Sequence, residues 1–565
     1  VLASSAVFSE RWALSIALGA AFVTLSAIST AEEVPAAAAP AESAAPRKQP
    51  LDTWGTDDPA PVSAPGASTP PPPEAGPATP PSAPERDESA RSDAARANSG
   101  GVRRDGPAVR YTLEALEIRG NARTSSRVIL RYLPFQRGDV LDVDDPAVEL
   151  ARFRLLGTGF FQDVQFSLRK GTDRGLVVLV IDVIERNTIV FNDISMGLWA
   201  KADSHGRPKR AGPYAGLDVA ETNLGGTGIT LGAAAAIAQS QRALRVRFLD
   251  PAFLGGPWMT SGSLLFTRAL DSFGNADVKW QDQNARDATS PAVVRYRRFG
   301  GSLGIGRDLS LTTQLWLHYR LETVDANFPL QASHLRGFAR EPIDFHIVRG
   351  RSLLSTLGGT LQLDTRDHPI LPTRGWFVTF RGEVSLPPAS IDYDYQKFEL
   401  DVNRWWRVPS TSHVVKLSAY AGGIAGNAPF FERFYVGDFT DFLPDRVLGM
   451  SFDQRPPPNF LGTDIVEVRY GDLALRLGGE YRVPLYRGHR SIYGIDAFVS
   501  GGFYSVAGRR DLTQPPVGYS GAARIPVDIT ANMGLRIDTS AGGFAFAFSN
   551  LLSLIPFRGK GPAGS

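Results

Sequence analysis

From residue 188 to the late 540s the chain repeats one pattern, stretches in which apolar and polar side chains alternate with period two. Such alternation marks β-strands with one apolar and one polar face. Fifteen stretches can be read, at 188–198, 213–222, 228–237, 243–249, 259–269, 293–307, 311–324, 353–363, 376–384, 393–405, 413–424, 473–484, 491–503, 527–537 and 544–548. A membrane-spanning strand needs about nine to eleven residues, and most of these suffice. Trp, Tyr and Phe gather toward their ends, as interfacial girdles require. A soluble β-sandwich uses shorter strands.

The connections add an independent constraint. Spanning barrels have short turns on one side of the membrane and longer loops on the other. Here the even-to-odd connections are short, at 223–227, 251–256, 308–310, 365–375 and 408–411. The large insertions fall on odd-to-even connections, at 201–210, 271–291, 325–351, 427–464 and 505–526. An arbitrary β protein has no reason to keep that parity. The expected fold is therefore mainly β, a transmembrane antiparallel barrel occupying residues 188–558 and followed by a short tail, 559–565.

Bulk composition removes several function classes. A net charge of +2 argues against a dedicated nucleic-acid binder, which needs a concentrated basic patch. With no cysteine there is no disulfide framework, thiol nucleophile or cysteine zinc site. The seven histidines are scattered without ligand spacing, and no phosphate loop or nucleophile elbow is present. Neither an enzyme activity nor a cofactor or metal is expected.

Ahead of the barrel, Arg11 precedes an apolar run from Trp12 to Ile28 and then Ser29, Thr30 and Ala31. We read residues 1–31 as a signal peptide cleaved after Ala31. An uncleaved anchor is the alternative, since the run is borderline for a span. Residues 32–107 are rich in Pro and Ala, including Pro70 to Pro73, and cannot bury enough apolar surface to offset ordering entropy. They are expected to form a disordered linker.

Residues 108–187 form a separate unit. A strand over 111–119 ends at Gly120-Asn121, and Thr124 or Ser125 caps a helix carrying Val128, Ile129, Arg131 and Tyr132. A second helix starts at Asp144-Asp145-Pro146, and strands at 164–168 and 176–184 flank a turn at 171–175. This strand-helix-helix-strand-strand order resembles a POTRA domain. Gly120-Asn121, Leu156-Gly157 and Phe160-Phe161 stand where that family places them. The resemblance implies a periplasmic domain that binds extended polypeptide at a sheet edge.

The turns ETNLGGTG (221–228), FLDPAFLGGPW (248–258) and LDTRDHPILPTRGW (363–376) resemble successive turns of Omp85-superfamily barrels, the bacterial surface antigen D15 class. The segments 475–486 and 493–503 resemble late strands of that superfamily. In the third turn Asp364, Arg366, Asp367, Arg374 and Gly375 form the periplasmic signature. The resemblance implies an outer membrane location, a barrel of about sixteen strands and a long loop at 430–464 that folds back into the lumen. Fifteen segments were read, so one is expected to have been missed or merged. Phe544, Phe546 and Phe548 mark the closing strand.

The loop's approach, FERFYVGD (431–438), matches the superfamily, but its tip does not. Where the family carries Val-Arg-Gly followed by an aromatic residue, this chain has Val447-Leu448-Gly449-Met450. The family's arginine pairs with an acid on a late strand. Asp496 matches that position, Glu480 is a second lumenal acid, and Arg446 is the substitute arginine. Arg446, Gly449, Glu480 and Asp496 are thus the candidate loop anchors. Either the loop is anchored differently or its mechanical role is weakened.

Two functions remain open. One is outer-membrane protein insertion or polypeptide translocation, in which the POTRA domain receives unfolded outer-membrane or secreted polypeptide. The first strand's edge, at Thr188, Val190, Asn192 and Ile194, would then template it, with periplasmic accessory subunits as further partners. The other is a passive pore or structural barrel. Dedicated export of a single secreted partner is a variant of the first.

Overall fold

The computed structural model describes residues 110–549, except for 143–144, 203–207, 274–277, 281–291, 329–331, 337–338, 387–391, 441–442, 444, 453–458, 464, 466–467, 489–490 and 510–525. The expected signal peptide, linker and tail lie outside the described residues.

The first unit is a four-stranded sheet under two helices. Its strands are β1 (Arg110–Arg119), β2 (Val140–Asp142), β3 (Phe161–Lys170) and β4 (Leu176–Glu185), in the order β2-β1-β4-β3. Strand β4 is central, parallel to β1 and antiparallel to β3, and its residues 177–181 are all buried. The helices are α1 (Ser126–Arg131) and α2 (Pro146–Gly157). Pro146 occupies the first turn of α2, where no amide hydrogen is needed, and the Asp145 carboxylate caps it by accepting from Ala147 N at 2.8 Å. Leu113, Ile129, Leu155, Val164 and Ile181 fill the core between sheet and helices.

The second unit is one antiparallel sheet that curls almost completely on itself. Its strands are β5 (Ile189–Ala202), β6 (Pro208–Glu221), β7 (Thr230–Ala238), β8 (Gln241–Asp250), β9 (Trp258–Phe273), β11 (Ala292–Asp308), β12 (Thr313–Asn327), β15 (Gly350–Asp364) and β16 (Gly375–Ser385). It continues with β17 (Tyr395–Arg407), β18 (Val414–Gly426), β21 (Leu473–Arg487), β22 (Ile492–Ala507), β23 (Val527–Thr539) and β24 (Gly542–Ser549). Short strands β10 (Val278–Trp280), β13 (Ala332–Arg336) and β14 (Ala339–Pro342) form a ribbon at the end away from the POTRA unit. Strands β19 (Phe434–Tyr435) and β20 (Tyr470–Gly471) pair within the long loop.

Alternation decides which way each side chain points. Leu303 and Ile305 on β11, Leu317 and Leu321 on β12, and Phe398 and Leu400 on β17 face outward and are exposed. Alternate residues such as Arg298, Glu322 and Glu383 face the lumen, where they pair with one another or with the long loop. An apolar exterior around a polar interior is the arrangement of a barrel in lipid. Among the described residues no helix is long and apolar enough to cross a membrane.

Fifteen strands, not sixteen, make this sheet among the described residues. The odd number has a topological consequence. Each antiparallel step reverses direction, so the first strand, β5, and the fifteenth, β24, run the same way and meet side by side.

The POTRA unit docks against the turns at its end of the barrel. Ser125 N, at the start of α1, donates to Gly226 O at 2.9 Å, and Asn223 Nδ2 donates to Thr124 Oγ1 at 2.8 Å. The residues expected to cap α1 by side chain are thus used for docking, and Ser125 makes no side-chain cap bond. Arg131 donates to Gly256 O at 3.0 Å, Arg154 pairs with Asp308, and Arg374 pairs with Glu149. Gly226 has φ +76°, and a side chain there would strike the Arg123 carbonyl. Its glycine is required for the close approach.

Candidate functional site

Three connected features occupy the barrel interior and its base. The first is the loop over residues 427–472, which folds into the lumen. Phe430, Phe431, Phe434, Met450 and Phe452 pack against Phe273, Tyr296, Val324 and Tyr395 of the wall. Phe430 meets Phe273 and Tyr296 edge-on at centroid distances of 5.1 and 5.2 Å, and Phe452 stacks on Tyr214 at 4.7 Å.

The ionic anchor of this loop is Glu432. Its carboxylate accepts from Arg320 at 2.7 Å and lies 3.4 Å from Arg298. Arg298 also pairs with Glu322 at 2.7 Å and lies 4.0 Å over the Phe431 ring. Arg320 also pairs with Glu383 at 2.7 Å. Elsewhere the Asp528 carboxylate accepts from Phe460 N at 3.0 Å and Leu461 N at 3.2 Å, while Arg469 pairs with Asp271 at 3.5 Å.

The four anchor candidates take other roles. Arg446 stays within the loop, pairing with Asp438 at 2.7 Å and donating to Phe431 O at 2.8 Å. Leu448 and Gly449 have φ of 51° and 76°. They form a tight hairpin tip closed by Val447 N to Met450 O at 3.1 Å and Met450 N to Val447 O at 3.0 Å. Glu480 pairs with Arg536 at 2.6 Å, and Asp496 with Arg482 at 3.0 Å and with Arg487. Neither acid holds the loop tip. The tip lies instead against another part of the wall, with Val447 at Gly216 of β6 and Gly449 beside Arg298 of β11. With leucine at 448 the tip carries no guanidinium, and Glu432 supplies an ionic contact to the β11–β12 wall. The sequence carried one signal for this, a glutamate among Phe430, Phe431 and Phe434. A charge inside such an apolar run needs a buried partner.

The second feature is the turn over residues 365–374. It does not stay at the rim between β15 and β16. Leu371 packs on Gly494 of β22, Ile370 packs on Gly543 of β24, and Arg482 of β21 donates to Pro372 O. Internal bonds stiffen it. Arg366 grips Asp364 through two nitrogens at 2.9 and 2.7 Å, and the Asp367 carboxylate accepts from Thr373 N at 2.8 Å. Gly375 has φ +110°, and a Cβ would strike the Thr365 carbonyl. Arg374 reaches out to the POTRA residue Glu149. The five signature residues thus build a strap across the base of the barrel.

At the strap's centre, His368 Nδ1 accepts from Ile370 N at 3.2 Å and Leu371 N at 3.1 Å, and Nε2 lies 3.6 Å from Asp538. Burial lowers the imidazole below its ordinary value of 6.5; Asp538 and Asp367 oppose this, while Arg186 and Arg487 add to it. The neutral ring is favoured in the fold, so its contribution to stability is complete above about pH 6.5 and declines as pH falls below it. Hydrogen exchange at residues 366–373 is expected to quicken between about pH 7.5 and about pH 5.5, beyond the intrinsic pH effect on exchange. His368→Asn should flatten that response. An unchanged profile in the variant would show that His368 is not the titrating group.

The third feature is the seam. Among the described residues β5 and β24 do not pair along their lengths; Phe191 N of β5 donates to Ala541 O, in the turn before β24, at 2.8 Å. A cleft of about 440 Å³ opens there, lined in part by Val190, Phe191, Asn192, Ile370, Gly542 and Phe544. The residues 188, 190, 192 and 194 do not form one row of side chains. A bulge between Phe191 and Asp193 turns Asn192 inward to donate to Asp218 at 3.0 Å, while Ile194 faces out. At the foot of the seam Arg186, which follows β4, inserts its guanidinium against Asp538 and the Thr539 carbonyl. Its own amide donates to Phe160 O at 2.8 Å, tying the POTRA unit to the same point.

Comparison with known proteins agrees with this architecture. Residues 223–442 match the Omp85 superfamily domain, and residues 111–186 match the POTRA model, described as a surface antigen variable number repeat. The outer membrane protein assembly factor BamA of Neorickettsia risticii is 23% identical over 339 residues, covering 59% of this chain and 40% of that protein. BamA of Neisseria meningitidis serogroup B is 24% identical over 354 residues, covering 59% and 39%. The chain therefore spans about two fifths of the length of these relatives. Among solved structures, BamA from Haemophilus ducreyi lacking POTRA domains 1–3 has a TM-score of 0.42 at 16% identity, with 78% of this chain and 81% of that one covered. CdiB from Escherichia coli has a TM-score of 0.47 at 12% identity, with 78% and 72% covered. The chain thus carries an Omp85 superfamily domain behind a POTRA domain.

Proposed function

We propose that the protein inserts or translocates polypeptides at the outer membrane, with the POTRA unit on the periplasmic side receiving an extended client and the seam templating it. The observation that carries this reading is the unpaired seam. Strand β5 has 14 described residues and β24 has 8, and among the described residues one backbone bond, from Phe191 to the turn before β24, joins this side of the sheet. A strand entering lipid must have its backbone groups satisfied, and a sheet edge supplies partners. Because β5 and β24 run parallel, one incoming strand of opposite direction would pair antiparallel with both. The loop packed into the lumen weighs against a standing open pore, the alternative reading.

The chain has no cysteine, so a designed cross-link carries no competing thiols. Oxidised F191C/A541C should lower insertion of an unfolded barrel protein into liposomes by about tenfold or more, with recovery on reduction, because the edge groups can no longer separate. Equal insertion in both redox states would reject the seam as the template. In cells, depletion should lower many outer-membrane proteins together. Loss of a single secreted protein would instead identify dedicated export, and no change with steady conductance in bilayers would identify a pore.

A further inference from the structure

On the outer face of the barrel, at the end away from the POTRA unit, arginines stand side by side on adjacent strands. Arg242 on β8 is directly opposite Arg268 on β9, which is directly opposite Arg297 on β11. The row continues through Asp325 on β12 to Arg351 on β15. All five side chains are exposed. They share their face with outward apolar residues, including Leu244, Phe266 and Leu303.

Three like charges in direct register repel one another, which a sheet avoids unless something compensates. Asp325 stands opposite Arg297, but no acid stands opposite Arg242 or Arg268 in the row. Among the described residues none of Arg242, Arg268 and Arg297 forms an ion pair or hydrogen bond, although Arg242 lies 6.0 Å from the Phe266 ring centre. Neighbouring strands are about 4.8 Å apart, so the row spans roughly 10 Å.

The depth of the row follows from the same strand. Arg297 and Arg307 both face outward on β11, ten residues apart, with Leu303 and Ile305 between them. At about 3.4 Å per residue and a tilt near 40°, their separation along the barrel axis is about 26 Å. That is the height of the apolar band of an outer-membrane barrel, about 25 Å. Arg307 lies beside Trp258 at 5.3 Å, and Arg404 beside Trp376 at 4.6 Å, as an interfacial girdle at the POTRA end. The arginine row therefore lies at headgroup level in the opposite leaflet.

We propose that Arg242, Arg268 and Arg297 bind the phosphate groups of a multiply phosphorylated lipid headgroup in the leaflet at the far end of the barrel. Guanidinium groups take phosphate oxygens bidentately, and a headgroup with two phosphates fits a row of this length and charge. Such a lipid converts the repulsion along the row into attraction and holds the β8–β11 wall in the membrane at a fixed depth.

The test uses the full chain folded into phosphatidylcholine vesicles containing bisphosphorylated lipid A, dephosphorylated lipid A or phosphatidylglycerol. Lipid retained after extraction in mild detergent is counted by mass spectrometry. The wild type should retain the bisphosphorylated form in preference to both others, and R268Q/R297Q should retain about tenfold less of it. R307Q, at the opposite rim, should behave as wild type. Equal retention by R268Q/R297Q, an equal loss in R307Q, or equal retention of phosphatidylglycerol would each overturn the proposal. Folding is checked by heat-dependent gel mobility. If R268Q/R297Q fails to fold, R242Q alone should still show a partial loss, and wild-type retention in R242Q would overturn the proposal.

Discussion

Arg320→Ala should destabilise the barrel by about 3–5 kcal/mol, toward the lower end, and release the lumenal loop. The guanidinium lies among three carboxylates, 2.7 Å from Glu432, 2.7 Å from Glu383 and 3.7 Å from Glu322. Removing it leaves those acids with Arg298 as the remaining close guanidinium, so a buried negative charge goes uncompensated. The lower end applies because the Arg320 and Glu432 side chains keep 16% and 12% exposure beside a cavity of about 540 Å³. Glu432→Gln should cost less, about 1–3 kcal/mol, since Arg298–Glu322 and Arg320–Glu383 both survive it. R320A/E432Q should therefore be more stable than R320A alone. The measurements are the temperature at which the folded band is lost on gels and protease cleavage within residues 427–472. A double variant no better than R320A would show that the acids are screened by lumenal water.

Arg186→Ala should cost about 3–5 kcal/mol and loosen the foot of the seam. The Arg186 and Asp538 side chains are 3% and 2% exposed, so water cannot replace the lost partner. The same substitution removes the cation that helps hold His368 neutral. In R186A the imidazole can take a proton and partly balance Asp538, so the penalty should shrink from about pH 8 to about pH 6. Thermal unfolding in detergent across that range, with hydrogen exchange at 189–192 and 540–545, checks both parts. A penalty independent of pH would show that His368 does not respond to Arg186. Wild-type exchange at the seam would show that Arg186 does not hold the hairpin between β23 and β24.

The three features meet at the base of the barrel. Arg374 ties the strap to the POTRA unit, His368 ties it to the last full-length strand, and Arg186 joins POTRA, strap and seam. Under the proposed function, a client displacing the POTRA unit would pull on the residues that hold the seam hairpin.

Much of this was legible in the residues, for an identifiable reason. Each read stretch lies on one strand of the sheet, because alternation is a local property that the pleat converts directly into inside and outside. Connection parity worked because each antiparallel strand returns the chain to the opposite rim. The POTRA helices began near their expected caps because Asp145 and Pro146 act within one turn.

What failed to show depended on groups distant in sequence. Asp496 and Glu480 were candidate loop partners by position, yet Arg482 and Arg536 lie nearer to them once the sheet curls. The pairing-edge row broke at Asn192 because a bulge there reverses facing without changing the alternation around it. The turn after Asp364 looked like a rim connection because its length shows nothing of how far it reaches across the base.

By itself the sequence determined the strands, their facing, the rim on which each connection lies and the POTRA unit, all set by local periodicity and turn chemistry. Only the tertiary structure decided that β5 and β24 meet in parallel, that Glu432 anchors the loop, and that Arg242, Arg268 and Arg297 share a row. Each depends on register between strands, and register is fixed by the closure of the whole sheet.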